Sequence, residues 1–161
     1  LMGIDSLLKL EQSDKIKRDL ATAYGNLSHI YRNHLKDVEN TIICAQKSLE
    51  YRESFEKNKS YGISLYSLGR AFALNNEFKK SADLIQQALQ YFKESSNKEI
   101  YQKSVLEVNL GIIVNEFDKK TAKKLLKKSI QKIESEDIIN YITTEVNKII
   151  EIGKNILNLN D

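Results

Sequence analysis

Small and large apolar residues recur along the chain with a helical rather than a strand period. Leu27-Ser28, Leu68-Gly69, Leu110-Gly111 and Ile152-Gly153 each join a branched apolar residue to a small one. Three residues after each small one stands another large side chain: Tyr31, Phe72, Val114 and Ile156. The four pairs lie 41, 42 and 42 residues apart. A second set of columns runs between them. Thr41, Ser81 and Ala122 are each followed seven residues later by Ser48, Ala88 and Ser129, and these at once by Leu49, Leu89 and Ile130. Seven residues are about two helical turns, so each small pair shares one face, where a neighbouring helix can approach closely.

A fixed period of this length is the mark of stacked supersecondary units. The columns place two helices in each unit and predict helices over 14–33, 37–57, 59–75, 78–95, 98–115, 119–134 and 137–157. The spacing from first column to second falls from 21 (Leu27 to Ser48) to 20 (Leu68 to Ala88) to 19 (Leu110 to Ser129). These one-residue changes belong in the turns, because an insertion within a helix rotates its apolar face by about 100°. Arg32–Asp37, Asn75–Glu77 and Asn115–Asp118 are the turn-rich pieces. The expected fold is all-α, a right-handed solenoid of antiparallel helix pairs. Full repeats are expected near 14–57, 59–96 and 98–135, with the end of a preceding helix near 4–12 and a capping helix over 137–157.

Composition narrows this further. The 161 residues include six Gly and no Pro, too few turn formers for a sandwich, a barrel or a doubly wound sheet. The formal net charge is +3, and the two halves differ little, which does not suit a nucleic-acid domain. No apolar run approaches a membrane span. The single Cys44 cannot pair internally, so the expected compartment is the cytoplasm. The start at Leu1-Met2-Gly3 leads us to expect a piece of a longer protein.

Leu68-Gly69-Arg70-Ala71-Phe72, Asn76-Glu77-Phe78, Ser81 and Ala88-Leu89 together resemble a tetratricopeptide repeat. Tyr24, Leu27 and Tyr31 fit the first repeat; the third carries Val114 where an aromatic is usual. The period is longer than usual and the closing Pro is absent. Both features are similar to the long-helix variety of bacterial signalling proteins and kinesin light chains, in which the second helix is extended. The resemblance implies a non-catalytic module whose first helices line a concave groove for a protein or peptide segment. On it, the groove residues are Asn26, His29, Arg32 and Asn33, then Tyr66, Ser67 and Arg70, then Asn109, Ile112 and Asn115, and finally Glu151 and Lys154. The family's pattern for chaperone C-termini needs Lys where this chain has Gly25 and Asn where it has His29, so no chaperone partner is assigned.

The resemblance further implies a sensor or scaffold part of a larger bacterial protein, with a Lys-, Ile- and Asn-heavy composition that suits an AT-rich genome. The alternative is the repeat domain of a peptide-pheromone receptor that regulates transcription.

Other candidate chemistry is weaker. His29 and His34 are five apart and diverge on a helix, and no ligand set accompanies them, so neither a metal nor another cofactor is expected. Cys44 reads as a small buried hydrophobe. The lysines at 119, 120, 123, 124, 127, 128 and 132 form one stripe opposite Ala122, Leu125, Leu126, Ile130 and Ile133. That stripe reads as a solvated convex face; an acidic partner, an anionic membrane or a nucleic-acid backbone is the lesser reading.

Overall fold

A computed structural model of the chain describes residues 14–55, 57–135, 138 and 143–158. Within them are seven helices: α1 (Asp14–Ile30, extended by a π-helical turn Tyr31–Leu35), α2 (Val38–Glu53), α3 (Lys59–Leu74), α4 (Phe78–Leu89), α5 (Asn97–Val114), α6 (Lys119–Ile133) and α7 (Thr144–Asn158). The chain is all-α. Helices α1/α2, α3/α4 and α5/α6 pack as sequential antiparallel pairs, and each pair stacks on the next.

Local chemistry starts and stops these helices without proline. Asp37, Asn58, Ser96 and Asp118 accept a backbone N–H from Asn40, Ser60, Glu99 and Thr121, capping α2, α3, α5 and α6. Helix α3 ends in a left-handed residue, Asn76 (φ 60°), with Glu77 N–H donating to Phe72 O and Asn76 N–H to Ala73 O. This is the turn that glycine usually serves; the short polar side chain of Asn tolerates it.

The small columns lie where the paired helices meet. In the first pair Ser28 Oγ donates to Thr41 O at 3.0 Å and Ser48 Oγ to Ala21 O at 2.8 Å. In the second, a Cβ on Gly69 would stand 2.8 Å from Ile85 Cγ1 and 3.1 Å from Ser81 O. One on Gly62 would stand 2.8 Å from Tyr91 Cβ and 3.1 Å from Ala88 O. In the third, a Cβ on Gly111 would be 2.7 Å from Leu126 Cγ. Around these contacts lie the apolar clusters, with Ile85, Val108, Leu126 and Ile133 fully buried.

The observed bounds depart from the expected ones in four places. Helix α1 does not stop at 33 but continues to Leu35 as a wider turn, closed by Lys36 in the left-handed region. Helices α2 and α4 end at Glu53 and Leu89, not at 57 and 95. After Leu89 the chain tightens into three-residue turns, and Phe92 turns inward against Tyr61, Leu65, Ala88 and Leu106. The extra residues of the middle repeat therefore lie in the link to α5, not in a longer second helix. Helix α7 starts at Thr144, and Ile138 lies in a turn, so the expected start at Asp137 is corrected. The helix end expected near 4–12 lies outside the described residues.

Helix α7 also sits differently from the other first helices. Gly69 and Gly111 face the second helix of their own pair, but Gly153 faces Ile130 and Leu126 of α6 and Val108 of α5. In their common column the two inner residues, Leu68 and Leu110, are 6% and 5% exposed, whereas Leu27 and Ile152 at the two ends are 41% and 49%. Helix α7 packs on α5 as well as on α6.

These contacts predict opposite outcomes for two glycines. Gly69→Ala forces Ile85 and the Ser81 backbone apart and should cost about 1–3 kcal/mol. Gly25 has only Ser48 Oγ near its missing Cβ, at 3.4 Å. Gly25→Ala should be neutral or stabilising by up to about 1 kcal/mol through helix propensity. Urea unfolding midpoints of both variants check the pair.

Candidate functional site

The first helices of successive pairs, α1, α3 and α5, line one side of the stack, and clefts open between them. Between α1 and α3 a polar cleft of about 590 Å³ is lined by Asn26, His29 and Ser67, together with Thr22, Arg52, Ser60, Ile63 and Ser64. Its floor is a hydrogen-bonded chain: Arg52 Nε donates to Ser64 Oγ at 3.0 Å, which lies 3.0 Å from Ser48 Oγ. A smaller and more apolar cleft of about 250 Å³ lies between α3 and α5. It is lined by Ile63, Tyr66, Tyr101 and Val105, with Val146 of α7 reaching in.

A basic cluster occupies the α1–α3 side. Arg32 is buried by the π-helical turn, its Nε donating to Asn33 Oδ1 at 3.0 Å. Asn33 Nδ2 lies 2.8 Å from His29 Nε2. Arg70 stacks over the Tyr66 ring, 5.6 Å from its centroid. Burial first, and the charge of Arg70 second, bring Arg32 down to about 10. Burial, then Arg32, also lowers His29 from 6.5. Burial raises Tyr66, against the opposing pull of Arg70 and Arg32. The acid that acts on all three is Glu145, in the first turn of α7.

The structure therefore brings Asn26, His29, Arg32, Asn33, Tyr66, Ser67 and Arg70 to one face. The rest of the expected set is spread out. Asn109 Nδ2 is turned back to Val105 O on its own helix, at 2.9 Å. Asn115 closes α5, and its Oδ1 is buried without a donor. Lys154 is held by Glu134 at 2.7 Å and by Glu151 at 3.5 Å. Ile112 packs with the core around Leu126 and Ile130.

Sequence reasoning missed Arg52, Ile63, Tyr101, Glu145 and Val146. Ile63 carried a signal, as an isoleucine left 49% exposed on a first helix. Glu145 carried none, because its place depends on the packing of α7. Among the described residues no group of three or more His, Cys, Asp or Glu is placed to hold a metal ion. No described helix is long and apolar enough to cross a membrane. Cys44 is buried, as expected for a small hydrophobe, and burial raises its thiol.

The lowered His29 fixes the sign of a pH effect. Protonating it costs more in the folded chain than in the unfolded one, so stability falls as pH drops below about 6.5 and levels off once pH is under the folded value. The capping carboxylates Asp37 and Asp118 are held below 3.8 by their hydrogen bonds and lose their contribution only at lower pH. His29→Gln should remove the loss near neutrality and leave the acid limb; urea midpoints between pH 7.5 and 2.5 measure both.

Comparison with protein families matches residues 19–94 to the tetratricopeptide repeat. No curated protein and no solved structure matches the chain. The match spans α2, α3 and α4 and most of α1, and α5/α6 packs as a further pair of the same kind. Residues 19–94 are tetratricopeptide repeats, a family of typically non-catalytic modules that generally mediate protein–protein binding.

Proposed function

We propose that this chain is a scaffold or sensor module that holds a peptide or protein segment along the face formed by α1, α3 and α5. The observation that carries this reading is the junction of two clefts at Ile63. One cleft mixes amide and hydroxyl side chains with apolar surface, the other is almost wholly apolar, and both are lined mainly by first helices. An extended segment presents alternating side chains and a bondable backbone. The polar cleft supplies donors and acceptors from Asn26, Ser60 and Ser67 for that backbone. The apolar cleft between Tyr66 and Val105 takes a side chain. Aromatic and aliphatic walls of this kind provide the desolvated anchor on which peptide affinity depends.

In this reading the module belongs to a larger bacterial signalling or regulatory protein and works in the cytoplasm. The Lys-, Ile- and Asn-heavy composition and the single free thiol of Cys44 support it. The lysine stripe of α6 serves as a solvated outer face. Its last member, Lys132, is already engaged with Glu94 at 2.9 Å.

Random twelve-residue peptides displayed on phage and selected on the immobilised chain supply ligands to test the reading. Ser67→Arg and Tyr66→Ala should each weaken the selected peptides by about tenfold or more, on the scale of losing one buried anchor. The paired Lys124→Glu and Lys128→Glu change on α6 should leave affinity unchanged. Titration by fluorescence anisotropy reads all three. Peptides that respond to the α6 change and ignore Ser67 and Tyr66 would place binding on the other face.

A further inference from the structure

A further pocket of about 350 Å³ lies where the link from α2 to α3 passes the first turns of α1. It is lined by Arg18 of α1, Arg52 of α2, Phe55 and Asn58 of the link, and Ser60 and Tyr61 of α3. That volume is within the range of small-molecule sites. The groove reading does not depend on it, although Arg52 and Ser60 also border the polar cleft.

Two arginines share this lining, and the bonds around them hold them in place. Arg52 Nε donates to Ser64 Oγ at 3.0 Å, and its Nη2 donates to Thr22 Oγ1 at 3.2 Å. Thr22 Oγ1 donates in turn to Arg18 O at 3.0 Å, so the Arg52 guanidinium is tied to the turn of α1 that carries Arg18. These bonds use the Nε edge of Arg52. Its Nη1 protons and the second Nη2 proton form the opposite fork, and no described bond engages them. Arg18 lies over the Phe55 ring, 5.0 Å from the centroid, and Phe55 N–H donates to Arg52 O at 3.1 Å. The described ion pairs involve neither arginine. Glu53, next to Arg52 in sequence, is turned to the Tyr61 hydroxyl, which donates to it at 3.4 Å. Burial lowers Arg52, and no acid acts against that shift.

The remaining polar groups of the lining add donors. Asn58 Oδ1 accepts the Ser60 N–H at 2.9 Å, which commits that oxygen to the cap and leaves Nδ2 to donate. Ser60 contributes a hydroxyl, and Phe55 and Tyr61 contribute ring surface. A carboxylate has two oxygens in one plane. A phosphate presents three or four in a tetrahedral array and carries close to two charges at neutral pH. Two guanidinium groups on separate helices, with an amide and a hydroxyl in the same lining, suit an anion whose oxygens are met from several directions.

We propose that this pocket binds a phosphate dianion, free or carried by a small organic molecule, with Arg18 and Arg52 as its cationic grips.

Titration of the whole chain, followed by backbone amide chemical shifts at constant ionic strength and pH 7.5, tests the site with inorganic phosphate, phenyl phosphate and benzoate. Both phosphates should shift the amides around Arg52, Phe55 and Ser60. Arg18→Gln should weaken both by about tenfold, the scale of one charge-assisted contact. Arg52→Gln should do the same, with its thermal melt recorded alongside; exposed Arg18 decides the matter if Arg52→Gln does not fold. The paired Lys124→Glu and Lys128→Glu change on α6 should leave both affinities unchanged. Tighter binding of phenyl phosphate than of inorganic phosphate assigns the organic ester, and equal binding assigns the free ion. Benzoate that binds as tightly as phenyl phosphate overturns the phosphate assignment. Phosphates that leave these amides unmoved at millimolar concentration, or that respond to the α6 change and ignore Arg18→Gln, overturn the site; the selected groove peptides are unaffected by either result.

Discussion

The structure depends on how closely two helices of a pair can approach. In the first two pairs, small residues on one helix meet small residues on the other in two places, two turns apart, and in the third Gly111 receives Leu126. Ala21 and Ser28 face Ser48 and Thr41; Gly62 and Gly69 face Ala88 and Ser81. A single Cβ at Gly69 or Gly111 would fall within 3 Å of a neighbour's side chain. These positions set the distance and angle of each pair, and the interior around them is packed too densely to adjust freely. The larger apolar side chains fill what remains. The outward face of α1, α3 and α5 is thus fixed by residues that never reach it, and the clefts between those helices inherit their spacing from the small columns behind.

Helix α7 shows what happens when a first helix has no second helix of its own among the described residues. Gly153 still carries the missing side chain that allows close approach, but it offers that surface to Leu126 and Ile130 of the preceding pair. Leu126 is consequently held between Gly111 and Gly153 and is fully buried. Ile152 is left half-exposed, as Leu27 of the same column is at the other end of the described stack. The cost is one half-exposed isoleucine, on the order of 1 kcal/mol at the usual area scaling. In the first turn of α7, Val146 lines the cleft that also holds Tyr66. A packing adjustment at one end of the stack thereby changes the chemistry of the groove two pairs away in sequence.

How much of this was legible follows the same division. Helix pairing could be read directly, because the small columns are both the sequence signal and the physical contact. The cap residues Asp37 and Asp118 stood in the turn-rich pieces, so helix starts fell close to where the sequence put them. Helix ends were harder. The π-helical turn at Tyr31–Leu35 and the tight turns after Leu89 arise from tertiary demands, the seating of Arg32 and of Phe92, which no local propensity encodes. Helical phase alone was enough to bring the side chains named for the first two pairs to one face. For those of the third pair and of α7 it was not, since Asn109 bonds its own backbone and Lys154 finds Glu134. Phase says which way a side chain leaves the helix, but not which partner it meets.

The buried Arg32 bears on stability. Removing a guanidinium from water without a counter-charge costs several kcal/mol even after relaxation. Arginine is the cation for which this is least severe, because its charge is delocalised and weakly hydrated. A stacked array can carry such a cost locally, since each pair is stabilised by its own interface and those of its neighbours. Arg32 sits at the end of α1, in a turn whose hydrogen bonds are already widened from the α-helical pattern, one turn after the Ser28–Thr41 contact. Lysine at this position would keep the charge but lose the planar fork, and with it the bond to Asn33. The side chain and the turn that buries it are therefore one device: the wider turn draws the guanidinium inward, and only a guanidinium tolerates being there.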